Sequence, residues 1–111
     1  MEIEEAANRL AELGHATRLE IFRYLIRAGR QGTPVGQLQK TLQIPGSTLS
    51  HHITRLMSVG LVKQRREGRT LFCVSQYEQL DSLIAFLQNE CCIGEACIDD
   101  TSAEEQIKAK Q

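Results

Sequence analysis

Ser47-Thr48-Leu49-Ser50-His51-His52-Ile53-Thr54-Arg55-Leu56-Met57 is the stretch on which the reading of this chain turns. At helical pitch its apolar residues Leu49, Ile53, Leu56 and Met57 fall on one face, and Ser47, Thr48, Ser50, His51, Thr54 and Arg55 fall on the other. A helix that buries one stripe and offers small hydrogen-bonding side chains and an arginine on the opposite stripe suits a DNA major groove. Many amphipathic surface helices share that pattern, so the flanking residues decide what it means.

Upstream, Gly36 to Leu42 reads as a short helix with Val35, Leu38 and Leu42 inward, and Gln43-Ile44-Pro45-Gly46 reads as a turn. Pro45 stops a helix from running through this point, and Ser47 or Thr48 is the expected cap of the next one. A short helix, a tight turn and a second helix make a helix-turn-helix unit whose second member is the reader. Downstream, Gly60 ends the reader. Leu61 to Arg65 alternates as a strand, Arg66-Glu67-Gly68-Arg69 turns, and Thr70 to Val74 returns. A hairpin tipped with arginines directly after a reader helix is a wing. Two further helices precede the unit. The first places Ile3, Ala6, Ala7, Leu10 and Leu13 on one stripe, and the second runs from about Arg18 to Ala28 with Thr17 as a candidate cap. A last helix runs from Tyr77 to about Glu90 with Leu80, Leu83, Ile84 and Leu87 on one face. The expected fold is mainly α (α+β): a winged helix-turn-helix of order α1-α2-α3-α4-hairpin-α5. The apolar faces of its first and last helices suit pairing in a homodimer.

The chain has 111 residues, enough for one domain with a single core. Its net charge of −1 conceals a segregation. Residues 47–75 carry five basic side chains and one acidic, whereas residues 76–111 carry two basic and eight acidic. A basic middle beside an acidic end implies one positive face, as phosphate binding requires. No apolar run approaches the roughly 18 residues of a membrane span. The acidic start Met1-Glu2-Ile3-Glu4-Glu5 lacks the pattern of a signal peptide. A cytoplasmic protein with reduced cysteines and no membrane partner is expected.

In this order and spacing the chain resembles the ArsR/SmtB family of winged-helix metal-responsive repressors. The residues that carry the resemblance are Leu13-Gly14-His15-Ala16-Thr17-Arg18-Leu19, Ser47 to Ile53, Gly60-Leu61-Val62 and Glu67-Gly68-Arg69. The match covers about residues 3–90. It implies a homodimer that binds a palindromic operator in double-stranded DNA and leaves it when an inducer binds. The expected DNA contacts are Ser47, Thr48, Ser50 and His51 in the first turns of the reader, Arg55 further along, and Arg65, Arg66 and Arg69 on the wing. His52 borders the buried stripe and reads as a packed, hydrogen-bonded imidazole.

The inducer signal is Cys91-Cys92-Ile93-Gly94-Glu95-Ala96-Cys97, three of the four cysteines within seven residues. Gly94 is the expected bend that brings Cys97 back toward Cys91 and Cys92. Three soft thiolates without a neighbouring histidine suit a soft centre. Trivalent arsenic or antimony, As(III) or Sb(III), is satisfied by three sulfurs. Zinc asks for a fourth ligand, which Glu95, Asp99 or Asp100 can offer. Pairing of Cys97 with Cys91 or Cys92 would make a thiol redox or reactive-sulfur switch instead. The resemblance adds that arsenic-responsive members are known with three cysteines at this C-terminal end. The helix before the reader has no cysteine, Val35-Gly36-Gln37-Leu38-Gln39, and the zinc-type motifs of the family are missing. Cys73 alternates with Phe72 and Val74 and reads as core.

The leading expectation is therefore a repressor of an arsenic-resistance operon, released when arsenite or antimonite binds Cys91, Cys92 and Cys97. Redox-sensing and zinc-responsive repressors of the same fold are the alternatives. No cofactor is expected for DNA binding itself. An enzyme is not expected, since no catalytic His or Asp stands beside the thiols and there is no glycine-rich phosphate loop. Residues 1–90 form the DNA-binding and dimerisation domain in this reading, 91–100 the inducer-binding segment, and 101–111 a polar tail with Ile107 as its one large apolar residue.

Overall fold

A computed structural model describes residues 1–94. Five α-helices run in the order α1 (Ile3–Leu13), α2 (Ala16–Ala28), α3 (Val35–Leu42), α4 (Gly46–Ser58) and α5 (Tyr77–Gln88). Between α2 and α3 lies a short strand, β1 (Thr33–Pro34). Between α4 and α5 lie β2 (Val62–Glu67) and β3 (Thr70–Ser75). The three strands form one antiparallel sheet in the order β1-β3-β2. This is the winged helix-turn-helix that the sequence leads one to expect, with one strand more. Thr33-Pro34 looks like a chain break in sequence. It pairs instead with Cys73 and Phe72, because Pro34 occupies an edge where its missing N–H costs nothing.

The core joins α2, α3, α4 and the sheet through Ile21, Phe22, Leu25, Leu38, Leu49, Ile53, Leu56, Leu61, Val62 and Cys73. The helix-turn-helix bend is made by Gln43, which sits in the left-handed region (φ 54) while the Ile44 N–H donates to the Gln39 carbonyl. Pro45, extended at ψ 148, stands at the N-cap of α4, so the helix begins at Gly46 and neither Ser47 nor Thr48 caps it. The wing turns through Gly68-Arg69, with Glu67 opposite Thr70 and Gly68 at φ 62, the positive angle that a two-residue hairpin loop demands.

The first helix departs from its sequence pattern. Ile3 is 68% exposed and Leu10 is also open, while Ala6, Arg9 and Glu12 face inward. The buried pair serves α4. Arg9 Nε donates to the Val59 carbonyl at the end of α4, 2.8 Å away. The Glu12 carboxylate accepts from Arg18 Nη1 of α2 and from Nε (3.1 Å) and Nη2 (2.8 Å) of Arg55 on α4. Arg18 continues the chain by donating from Nε to His52 Nδ1 at 3.3 Å. His52 is thus the packed, hydrogen-bonded imidazole that the sequence suggests, and it takes the place on the buried face that the pattern gives to Met57, which is exposed.

Two outcomes follow for stability. Gly32 lies in the left-handed region (φ 75), and a Cβ there would come within 2.8 Å of the Cys73 carbonyl oxygen and Val74 Cγ2. Gly32→Ala should therefore destabilise the fold by about 2 kcal/mol or more, read as a lower urea midpoint at unchanged slope. Burial, and then the charges of Arg18, His15 and His51, hold the His52 imidazole below its ordinary value of 6.5. The unfolded chain takes up a proton where the folded protein does not. This contribution to stability is whole above about pH 6.5 and is lost as the pH falls below it. His52→Asn keeps an acceptor but cannot titrate, so the gap in urea midpoint between wild type and variant should narrow from pH 7.5 to 5.5.

Candidate nucleic-acid interface and thiol segment

The outer face of α4 carries Ser47, Thr48, Ser50, His51 and Thr54, all exposed. The side chains of Ser47, Thr48 and Ser50 make no hydrogen bond among the described residues, and no acidic residue sits in the first turn of α4. The free N–H groups and positive dipole end of that turn lie beside three hydroxyls, a surface that attracts a phosphate and presents donors to base edges. His51 shares this face and stacks obliquely on His52, with ring centroids 5.7 Å apart. Gln39 of α3 packs its amide against Gly46, where a Cβ would come within 3.0 Å of it. Gly46 thus lets the two helices of the unit close on each other.

The arginines divide into two groups. Arg66 and Arg69 are exposed at the wing tip and carry no hydrogen bond or ion pair among the described residues. Arg65 and Arg55 are engaged within the protein. Arg65 donates from Nε to Glu67 (2.7 Å), from Nη1 to the Arg30 carbonyl (3.4 Å) and from Nη2 to the Gln31 carbonyl (2.9 Å), and lies 4.9 Å above the Phe72 ring. It pins the wing to the short 3₁₀ turn that follows α2, which is a structural duty beside any DNA contact. Arg55 is forked onto Glu12, with about half of its side chain still in contact with solvent. Glu12, Arg9 and Arg18 set this geometry, and none of them is among the functional residues read from the sequence. The signal for them is the spacing of Arg9 and Glu12, three apart on a helix face that excludes Ile3 and Leu10.

At the other end of the molecule, α5 stops at Gln88 and residues 89–94 form turns. A bend precedes Gly94; the one expected at Gly94 itself, which would return Cys97, leads outside the described residues. Glu90 and Cys92 both take φ 61, a left-handed conformation costing a non-glycine residue about 1 kcal/mol or more. The consequence is that the Sγ atoms of the exposed neighbours Cys91 and Cys92 lie 3.4 Å apart. Side chains roughly 100° apart on a continuing helix would not meet in this way. Cys97, Glu95, Asp99, Asp100 and the tail 101–111 lie outside the described residues. Cys73, fully buried, has its thiol pushed up by burial, partly offset by the Gln64 amide that donates to its sulfur.

Comparison with known proteins agrees with this geometry. Residues 13–65 match the model of a helix-turn-helix domain family. The HTH-type transcriptional regulator YgaV of Escherichia coli K12 is 30% identical over 89 residues, 80% of this chain and 88% of that protein. An ArsR-like transcriptional regulator from Rhodococcus sp. RHA1 superposes with a TM-score of 0.70 at 26% identity, covering 94% of this chain and 92% of the other. The homodimeric winged helix-turn-helix DNA-binding domain of Mb0332 from Mycobacterium bovis, a possible ArsR-family regulator, gives 0.62 at 28% identity over 78% and 77%. With an exposed polar face on the second helix of its helix-turn-helix, a basic wing tip and relatives of this kind along most of its length, the chain belongs to the ArsR-type winged helix-turn-helix family of DNA-binding transcriptional regulators.

Proposed function

We propose that this chain is a cytoplasmic, homodimeric repressor of an arsenic-resistance operon that leaves a palindromic operator when trivalent arsenic or antimony binds Cys91, Cys92 and Cys97. The observation that carries the reading is the clustering of cysteines directly after α5, where the Sγ atoms of Cys91 and Cys92 approach to 3.4 Å. Cys92 is disulfide-bonded in this structure, so the metalloid takes the reduced form of the segment. Arsenous acid reacts with three thiols without redox change. Each As–O bond is replaced by an As–S bond, and each hydroxyl leaves with a thiol proton as water.

The dimer reading rests on the open apolar side chains of α1 and α5, Ile3, Leu10, Ile84 and Leu87, of which Leu87 is 56% exposed. The homodimeric relative supports it. Two copies place two α4 helices on half-sites about one DNA turn apart, roughly 34 Å. Because the thiols follow α5 directly, closing them on a metalloid reorders the end of a dimer helix. The spacing of the two readers changes with it, and a small change suffices to break a two-site match.

A duplex selected by the wild-type protein from a random pool, used in mobility shifts, tests this. Arsenite should release the wild type, while Cys91→Ser, Cys92→Ser and Cys97→Ser should stay bound. Unchanged release of all three variants would overturn the metalloid site. Release by zinc alone or by peroxide or polysulfide alone would select one of the other sensors. On the same duplex, Arg66→Ala and Arg69→Ala should each lower affinity and reduce the slope of log affinity against log salt by about 1.

A further inference from the structure

We infer that Glu12 and Arg55 form a positioning pair: α1 grips the reader helix through them and fixes its angle, and Arg55 serves DNA binding through that grip rather than by touching a phosphate. This rests on α4 being the reader. Three observations carry it. First, Glu12 is almost wholly removed from water, its side chain only 10% exposed, yet its carboxylate faces two arginines from two different helices. A buried carboxylate of this kind is held by its partners, and removing one leaves charge uncompensated. Second, the Arg55 guanidinium meets it with two N–H groups, Nε and Nη2, the fork geometry that fixes orientation as well as distance. Third, the grip has a second point. Arg9, one turn before Glu12 on α1, holds the Val59 carbonyl just past the end of α4. Two contacts four residues apart, one on α4 and one at its C-cap, fix both the tilt of the helix and its rotation about its own axis. The rotation decides which of Ser47, Thr48, Ser50 and His51 face the bases.

The same geometry makes α1 the lever. Its inward face holds α4, and its outward face is the open apolar surface of Ile3 and Leu10.

Simple electrostatics and positioning predict opposite signs for Glu12→Gln. Removing a negative charge near DNA and releasing Arg55 for a phosphate would tighten binding. Loss of the grip weakens it. Affinities of wild type, Glu12→Gln, Arg55→Gln and the double variant are measured over a salt series, on the selected duplex and on a scrambled one. Arg55→Gln leaves the Arg18–Glu12 pair in place, and circular dichroism and a urea titration confirm that it folds. The expected result is that each single variant loses about tenfold for the selected duplex. The scrambled duplex is little affected, the salt slope is unchanged, and the double variant is no worse than either single one. Tighter binding by Glu12→Gln, or a slope reduced by about 1 in Arg55→Gln, would overturn the inference and make Arg55 a phosphate contact. Failure of the wild type to prefer any duplex would overturn the reader assignment of α4 instead.

Discussion

One carboxylate ties three helices together. Glu12 of α1 receives Arg18 of α2 and Arg55 of α4, and Arg18 passes the connection to His52 on the buried side of α4. The apolar core joins α2, α3, α4 and the sheet, and α1 adds to it only Leu13 at the margin beside the buried Ala6, while Ile3 and Leu10 point elsewhere. The polar chain thus shares in docking the first helix, and it does so on the second helix of the helix-turn-helix. Polar networks of this kind gain little net stability over a well-packed apolar contact, but they tolerate only one arrangement of donors and acceptors. A reader whose base contacts depend on rotation about its own axis benefits from that intolerance more than from added stability.

Much of this molecule is written in its periodicities. The reader helix, the turn at Pro45, the hairpin and the terminal helices all appear where helical and strand spacing put them, and Cys73 is the core residue that its alternation implies. What periodicity misreads is direction. The stripe of Ile3 and Leu10 looks like the inner face of α1 because apolar residues usually point into a chain's own core. Here Ile3 and Leu10 are left open while the charged pair goes in beside Ala6. His52 and Met57 exchange places on α4 for a related reason: an imidazole with a buried guanidinium to accept from is at home inside. The short strand at Thr33-Pro34 was hidden because two residues have no period, and only the approach of β3 reveals their pairing.

The thiol segment was legible as chemistry and not as geometry. Softness and clustering of the cysteines are properties of residue type and need no fold. The meeting of Cys91 and Cys92 depends on two non-glycine residues in the left-handed region, for which the sequence offers no sign, since Gly94 is the residue that ordinarily advertises such a bend.

The wing carries a division of labour. Arg65 is occupied by Glu67, Phe72 and the two carbonyls after α2, whereas Arg66 and Arg69 stand clear of the protein. Neighbouring residues of one type are therefore under unlike structural constraint. Substitution at Arg65 removes contacts that the fold uses, while Arg66 and Arg69 carry no hydrogen bond or ion pair among the described residues. The charge of the wing tip can thus change at two positions without renegotiating the architecture beneath it.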